Sequence, residues 1–237
     1  PDSISNFDVI VGNPPWGTEK TKDQLAAKWC KAFNYPVGFK ELSQYFMWRV
    51  QKLVKPAGII SLLVSTGVFF KHQDKSLKFR QELLKQNLVK AVYNFAHVRH
   101  FFFQGAISPF AAIFFHPTST ERALHNFITY VSVKRNLLTA NLQSVVIDST
   151  DIKKIRQSDF LQSDWFWKTY MWGNDNDASL IGHLKKTFIP LVDIVDDAGR
   201  GYEVTKSLAN RTKSTNELGV NKELITRNLH SLSDSKG

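Results

Sequence analysis

The sequence predicts an α/β chain in which a parallel sheet is covered by helices and finished by an antiparallel pair at its far edge. Three observations carry that prediction. The run Phe7-Asp8-Val9-Ile10-Val11-Gly12 is short, β-like and ends in the stiff tetrapeptide Asn13-Pro14-Pro15-Trp16. Residues 40–54 repeat apolar side chains at helical spacing. Residues 58–64 then form a continuous apolar run bounded by turn residues, as a strand buried on both faces should.

Each element follows in order. Residues 7–11 read as the first strand. Residues 17–40 carry Gly, Thr, Lys and Pro without a sustained period and read as a loop with one helix near 23–32. A loop of that length behind a motif points to function. Within 40–54, Leu42, Tyr45, Phe46, Val50 and Leu53 share one side with the stem of Arg49, and Pro56 and Gly58 read as the helix stop. Asp74 or Ser76 opens a helix over 74–87. Residues 88–95 and 109–116 read as antiparallel neighbours at the far edge of the sheet, with 127–133 and 142–148 as two more candidate strands. Residues 151–187 read as helical, with Asp177 or Ser179 capping the second helix. Beyond Pro190 the chain turns polar, rich in Ser, Thr, Asn and Lys.

The tetrapeptide has a definite chemical capacity. Each proline fixes its own φ and pushes the preceding residue out of the α region, so Asn13 and Pro14 are extended and the loop is stiff before a ligand arrives. Pro14 and Pro15 lack an N–H, so their carbonyls are acceptors without neighbouring donors, and the Asn13 side-chain oxygen is another acceptor. Two such acceptors can take both hydrogens of an –NH2 group and draw its lone pair towards an electrophile. Trp16 offers a flat apolar face on which a base stacks, worth about 1–3 kcal/mol. The plainer alternative is a two-proline turn with a core tryptophan.

Composition bounds the rest. A chain of 237 residues is one large or two small domains, and 43% hydrophobic residues suffice for a core. The net charge of +10 favours a polyanionic partner, a generally basic surface being the alternative. The single cysteine, Cys30, excludes an internal disulfide or a cysteine-built zinc cluster and fits a reduced, cytoplasmic setting. No apolar run approaches 18 residues, so no membrane partner is expected. His97 and His100 lie three apart without a carboxylate or thiol beside them, and no metal site is expected. Asp151-Ile152-Lys153 and Asp234-Ser235-Lys236 lack the upstream Pro-Asp pair of a metal-dependent nuclease. The cations Lys71, Lys75, Lys78, Arg80, Lys85, Lys90 and Arg99 read either as a solvated helix face or as a phosphate-facing surface.

Phe7 to Trp16 resembles motif IV of the amino-methyltransferases, an Asn/Asp-Pro-Pro-aromatic loop behind a strand. The order downstream is similar to the adenine-N6 DNA methyltransferases of the Eco57I-like restriction–modification group. The stretch Glu41 to Val50 followed by Lys55 to Ser65 resembles the helix, turn and strand after that group's catalytic loop. Phe101 to Phe110 resembles the later motif whose aromatic stacks on the flipped adenine; Phe103 is the candidate ring, and Phe101 and Phe102 read as packing. Trp172-Gly173-Asn174-Asp175 and Gly199-Arg200-Gly201-Tyr202 resemble the approach to a target-recognition region.

The resemblance implies the C-terminal half of a doubly wound, Rossmann-like methyltransferase sheet with an antiparallel edge, then helices and the start of a target-recognition region. The implied divisions are 1–117, 118–188 and 189–237. The implied activity is methyl transfer from S-adenosylmethionine to adenine N6 in double-stranded DNA, the base being flipped out to reach Asn13, Pro14, Pro15 and Trp16. One departure is large. The chain carries no G-x-G-x-x-G, so the cofactor-binding residues are expected upstream of Pro1, and this segment by itself is expected to be inactive. Two other readings stay open: a protein-glutamine or RNA-base methyltransferase, because glutamine also presents a planar –NH2, and a DNA-binding specificity module with a degenerate methyltransferase half.

Overall fold

The structure, a computed structural model, describes residues 7–18, 25–103, 108–135 and 144–194. Two compact units are present, Pro1–Leu184 and Lys185–Gly237. In the second, the described residues comprise the last turn of a helix and a 3-10 turn at Leu191–Asp193. The Gly199-Arg200-Gly201-Tyr202 and Asp234-Ser235-Lys236 stretches lie outside the described residues.

Among the described residues, the first unit has six strands: β1 (Phe7–Gly12), β2 (Val54–Ser65), β3 (Asn87–Asn94), β4 (Phe110–Pro117), β5 (Phe127–Ser132) and β6 (Ile152–Arg156). They lie in the order β1-β2-β4-β3-β5-β6. The pairs β1–β2 and β3–β5 are parallel; β2–β4, β4–β3 and β5–β6 are antiparallel. The described helices are α1 (Leu25–Ala32), α2 (Leu42–Val50), α3 (Gly67–Phe70), α4 (Asp74–Gln86), α5 (Arg99–Phe102), α6 (Thr120–Leu124), α7 (Gln157–Gln162), α8 (Phe166–Trp172) and α9 (Asp175–Thr187). This is a mixed α/β sheet with helices packed on it, as the sequence predicts.

One large core fills the face carrying Ile60, Leu62 and Val64 of β2, Ile113 and Phe115 of β4, and Tyr130 of β5. Met47 and Trp48 of α2, Phe79 and Leu83 of α4, Phe160 of α7 and Trp167 of α8 pack onto it. A smaller cluster of Val98, Val131 and Val133 holds Tyr93 and Phe95 against the other face. Arg80 is buried in the first core, where it donates to the carbonyls of Val68 (3.1 Å) and Lys71 (2.7 Å) and to the carboxylate of Asp164. Burial lowers its pKa, opposed by the Asp164 charge. Arg80 therefore belongs to neither of the faces the sequence offered for it: it ties α3 and α4 to the α7–α8 turn. No helix among the described residues is long and apolar enough to cross a membrane.

Several elements differ from expectation, each for a local reason. The helix over 40–54 ends at Val50, and Pro56 and Gly58 already lie in β2. Gly58 is there for close approach: a Cβ would sit 2.7 Å from the Asp8 carbonyl oxygen and 2.6 Å from Val54 Cγ2. Strand β2 alternates between buried and half-buried residues instead of being enclosed on both faces, because its neighbour β1 is an edge strand. Strands β3 and β4 are interior, since β5 and β6 extend the sheet beyond them. Residues 144–148 form no strand, and 142–143 lie outside the described residues. The strand falls instead at Ile152–Arg156, read from sequence as helical; its two lysines suit an edge. The last helix is capped by Asn174, whose Oδ1 accepts from Asn176 N (2.8 Å), while Asp177 Oδ2 accepts from Asn174 N (2.8 Å), a reciprocal capping box.

Candidate functional site

Strand β1 delivers Asn13 at its C-terminal end, beside the C-terminal end of its parallel partner β2. In open α/β sheets this end is where loops form ligand sites. Asn13 and Pro15 are exposed, Pro14 is buried and Trp16 is half-buried. The loop turns at Gly17, whose φ of 115° favours glycine. It is then held from outside: Leu42 N donates to Gly17 O (3.0 Å), and Thr18 bridges to Glu41. Glu41 is only 2% exposed; its carboxylate accepts from Lys71 Nζ at 3.0 Å and from Ser43 Oγ at 3.3 Å. Phe39 and Lys40, just before it, both adopt left-handed φ values, 54° and 51°.

Phe110, fully buried at the start of β4, is the floor of the site. Trp16 stacks on it with ring centroids 5.8 Å apart. Phe103 meets it edge-on at 5.2 Å and meets Trp16 edge-on at 6.3 Å. Phe95 stacks against it at 5.4 Å and Phe102 meets it at 5.6 Å. Phe95 N donates to Phe110 O (3.0 Å) and Thr66 N to Pro109 O (3.0 Å), which fix this floor against the ends of β3 and β2. Trp16 Nε1 donates to Leu63 O at 3.1 Å.

A cavity of about 360 Å³ is lined by Asn13, Pro14, Pro15, Trp16 and Phe103, the same five residues singled out in the sequence. The structure thus brings together two segments nearly ninety residues apart. None of these lining residues is ionisable. Such a site suits a flat neutral group held by stacking and by amide and carbonyl acceptors; it supplies no general base from its own lining. Sequence reasoning missed Phe110 and Phe95 as supports. The signal was weak: Phe110 follows Pro109 at the start of a strand, where an aromatic reads as ordinary core.

The Asn-Pro-Pro-Trp loop thus lies beside Phe110 at the C-terminal end of β1, on a mixed α/β sheet. Residues 2–102 match the family described as Eco57I restriction-modification methylase. No curated protein matches it. Among solved structures, the methyltransferase subunit of a type I restriction-modification system from Streptococcus thermophilus is 14% identical, with 68% of this chain and 37% of that one covered and a TM-score of 0.49. The type IIG restriction endonuclease BpuSI is 18% identical, with 88% and 26% covered and a TM-score of 0.49. A structure of a type I restriction–modification system is 18% identical, with 98% and 46% covered and a TM-score of 0.43. The chain therefore spans less than half the length of each of these proteins.

Proposed function

We propose that this chain carries the target-base half of an S-adenosylmethionine-dependent adenine-N6 DNA methyltransferase of the restriction–modification type. The observation that carries the reading is the single cavity in which Asn13, Pro14, Pro15, Trp16 and Phe103 meet at the C-terminal end of the β1–β2 pair. An extruded adenine enters the cavity that Trp16 and Phe103 both line. Its amine donates to the Asn13 side-chain oxygen and to a proline carbonyl, which directs the nitrogen lone pair towards the methyl donor. With no ionisable group in the lining, the amine loses its proton after alkylation.

S-adenosylmethionine supplies an electrophilic methyl group. The described residues do not fit the remainder of that molecule: no Gly-rich turn opens a helix behind a strand. A cofactor-binding half is proposed to pair along the open edge of β1, where Phe7, Val9 and Val11 are exposed on one face. We further assign 1–117 to catalysis, 118–188 to a connector and 189–237 to target recognition, with a cytoplasmic location.

The test is Asn13→Ala in the full-length protein. Methylation of DNA adenine should fall about 10²–10³-fold, the order seen when a positioned polar contact to a reacting centre is lost, with DNA affinity within a few-fold of wild type. A variant with near-normal methylation overturns the assignment, and methylation of a glutamine peptide in place of DNA overturns the substrate class.

A further inference from the structure

A second cavity, of about 520 Å³, opens between α8 and α9. It is lined on the α8 side by Trp165, Lys168, Thr169 and Trp172, and on the α9 side by Asp177 and Ile181. The four α8-side residues follow Trp165 at helical spacing, so they share one face. The opposite face sends Trp167 and Tyr170 into the core. A stripe carrying two tryptophans is ordinarily enclosed; here Trp165 is half-buried and Trp172 is 65% exposed. The volume falls within the range of about 300–1,000 Å³ common to small-ligand sites.

The polar groups of the lining are partly committed. Thr169 Oγ1 donates to Trp165 O at 3.1 Å, so its hydroxyl is turned to the helix. Asp177 Oδ2 accepts from Asn174 N at 2.8 Å, which holds the carboxylate at the start of α9 and leaves Oδ1 without a hydrogen bond among the described residues. Gly173 permits that approach, since a Cβ there would lie 2.8 Å from Asp177 Cγ. Lys168 is exposed and has no ion pair among the described residues. The cavity thus offers aromatic rings, one ammonium and one acceptor. A nucleotide has the matching parts: a flat base to stack, a phosphate for the ammonium and edge N–H groups for the acceptor. A cation would also suit two tryptophans and a carboxylate, but Lys168 in the same lining repels it.

We propose that the α8–α9 cleft binds a nucleotide, with its base against Trp172 and its phosphate on Lys168. The site is separate from the cavity at Asn13–Trp16 and does not depend on what that cavity holds. Both lie at one end of the sheet. Asn94 pairs with Ala111 on one side and with Ser132 on the other, and Ser132 Oγ donates to Met171 O at 2.6 Å. The His97 ring, two residues past Phe95, meets the Trp172 ring at 4.2 Å, while Phe95 stacks on Phe110. From β4 to β5 is two strand spacings, about 10 Å. That is about three nucleotides at a 3.4 Å rise. A free nucleotide and an unpaired unit of a strand present the same chemistry to this cleft.

The test uses the full-length protein and 2-aminopurine deoxyribonucleoside monophosphate, whose fluorescence is quenched on stacking. Trp172→Leu should remove a quenched component and weaken that binding about 5- to 150-fold. Trp172→Tyr, which keeps a π face, should restore it. Lys168→Gln should weaken the monophosphate a few-fold and leave the uncharged deoxyribonucleoside unchanged. Any binding at the Asn13–Trp16 cavity persists in Trp172→Leu, so the two sites are read apart. A single-stranded oligonucleotide carrying one 2-aminopurine distinguishes the sources. Trp172-dependent binding tighter than that of the monophosphate assigns the cleft to a strand; equal or weaker binding assigns it to a free nucleotide. Quenching and affinity unchanged in Trp172→Leu overturn the proposal. So does Trp172-dependent binding of tetramethylammonium without binding of the nucleotide, which would make the cleft a cation site. A Trp172→Leu protein that melts far below wild type, with a stable Trp172→Tyr protein that fails to bind, overturns it as well, because the ring then only packs against His97.

Discussion

The indole nitrogen of Trp16 donates to the carbonyl of Leu63 at 3.1 Å, so the loop residue is pinned to β2 while its ring lines the cavity. One ring therefore serves two purposes, closing the core over Phe110 and facing a ligand. Trp16→Phe keeps the aromatic face and loses the hydrogen bond; it should cost about 1 kcal/mol of stability and leave base stacking mostly intact. Trp16→Ala should cost more and also weaken base binding by about 1–3 kcal/mol. A 2-aminopurine at the target position reports the difference. Identical base fluorescence for wild type and Trp16→Ala would make Trp16 a core residue only.

Glu41 and Lys71 clasp the same loop from the other side. Removing one partner of an enclosed ion pair leaves an uncompensated charge, which costs about 3–5 kcal/mol when both are deeply buried. Lys71 is about one-third exposed, so Lys71→Met should cost less, about 2 kcal/mol. The sharper readout is amide exchange at Leu42, whose N–H is bonded to Gly17 O. It should exchange faster in the variant, and unchanged protection at Leu42 would show that the pair does not hold the loop.

Gln157 is fully buried and uses its whole amide. Its Oε1 accepts from Val89 N (3.0 Å) and Asn126 Nδ2 (2.9 Å), and its Nε2 donates to Leu84 O (2.6 Å) and Asn87 O (2.7 Å). It joins α4, β3 and α7 in one network. Gln157→Leu strands several buried polar groups at about 1–3 kcal/mol each. Denaturant unfolding should show a loss of at least about 3 kcal/mol, and a loss below about 1 kcal/mol would mean that water replaces the amide.

His97 and His116 both have pKa values lowered in the folded state, chiefly by burial, then by Lys134 for His97 and by Lys90 for His116. The unfolded chain then binds more protons than the folded one just below the ordinary histidine value of about 6.5. Stability from these groups is fully present above that value and is lost as pH falls through the folded pKa values. Melting temperature should drop as the pH falls below about 6.5, and His97→Gln should flatten that part of the profile. A profile unchanged by the substitution would assign the acid sensitivity elsewhere.

Strand β1 is an edge whose Phe7, Val9 and Val11 are 52%, 59% and 76% exposed. An unpaired apolar edge associates with other strands. Residues 1–237 alone should self-associate at micromolar concentration, and Val9→Lys should reduce this in sedimentation velocity. The same chain should bind S-adenosylmethionine weakly, because no cradle for it is built from the described residues. Micromolar one-to-one binding in calorimetry would show that the cofactor site lies within this chain.

The sequence by itself determined the strands β1 to β5 in outline and the chemical character of the loop. Those features are local: two prolines stiffen whatever backbone they occupy, and an apolar run of strand length must be buried wherever it lies. The helix at Asp74–Gln86 was legible for the same reason. Tertiary structure decided what depends on neighbours. It made β3 and β4 interior, because β5 and β6 pair beyond them. It turned Ile152–Arg156 into a strand, because the open edge of β5 offered hydrogen bonds that helical spacing could not outweigh. It moved Arg80 from a presumed charged face into the core, where Asp164 compensates its burial. It also set Phe103 beside Trp16, since only the β2–β4 pairing, Ser65 opposite Phe110, carries the later segment to the end of the first strand.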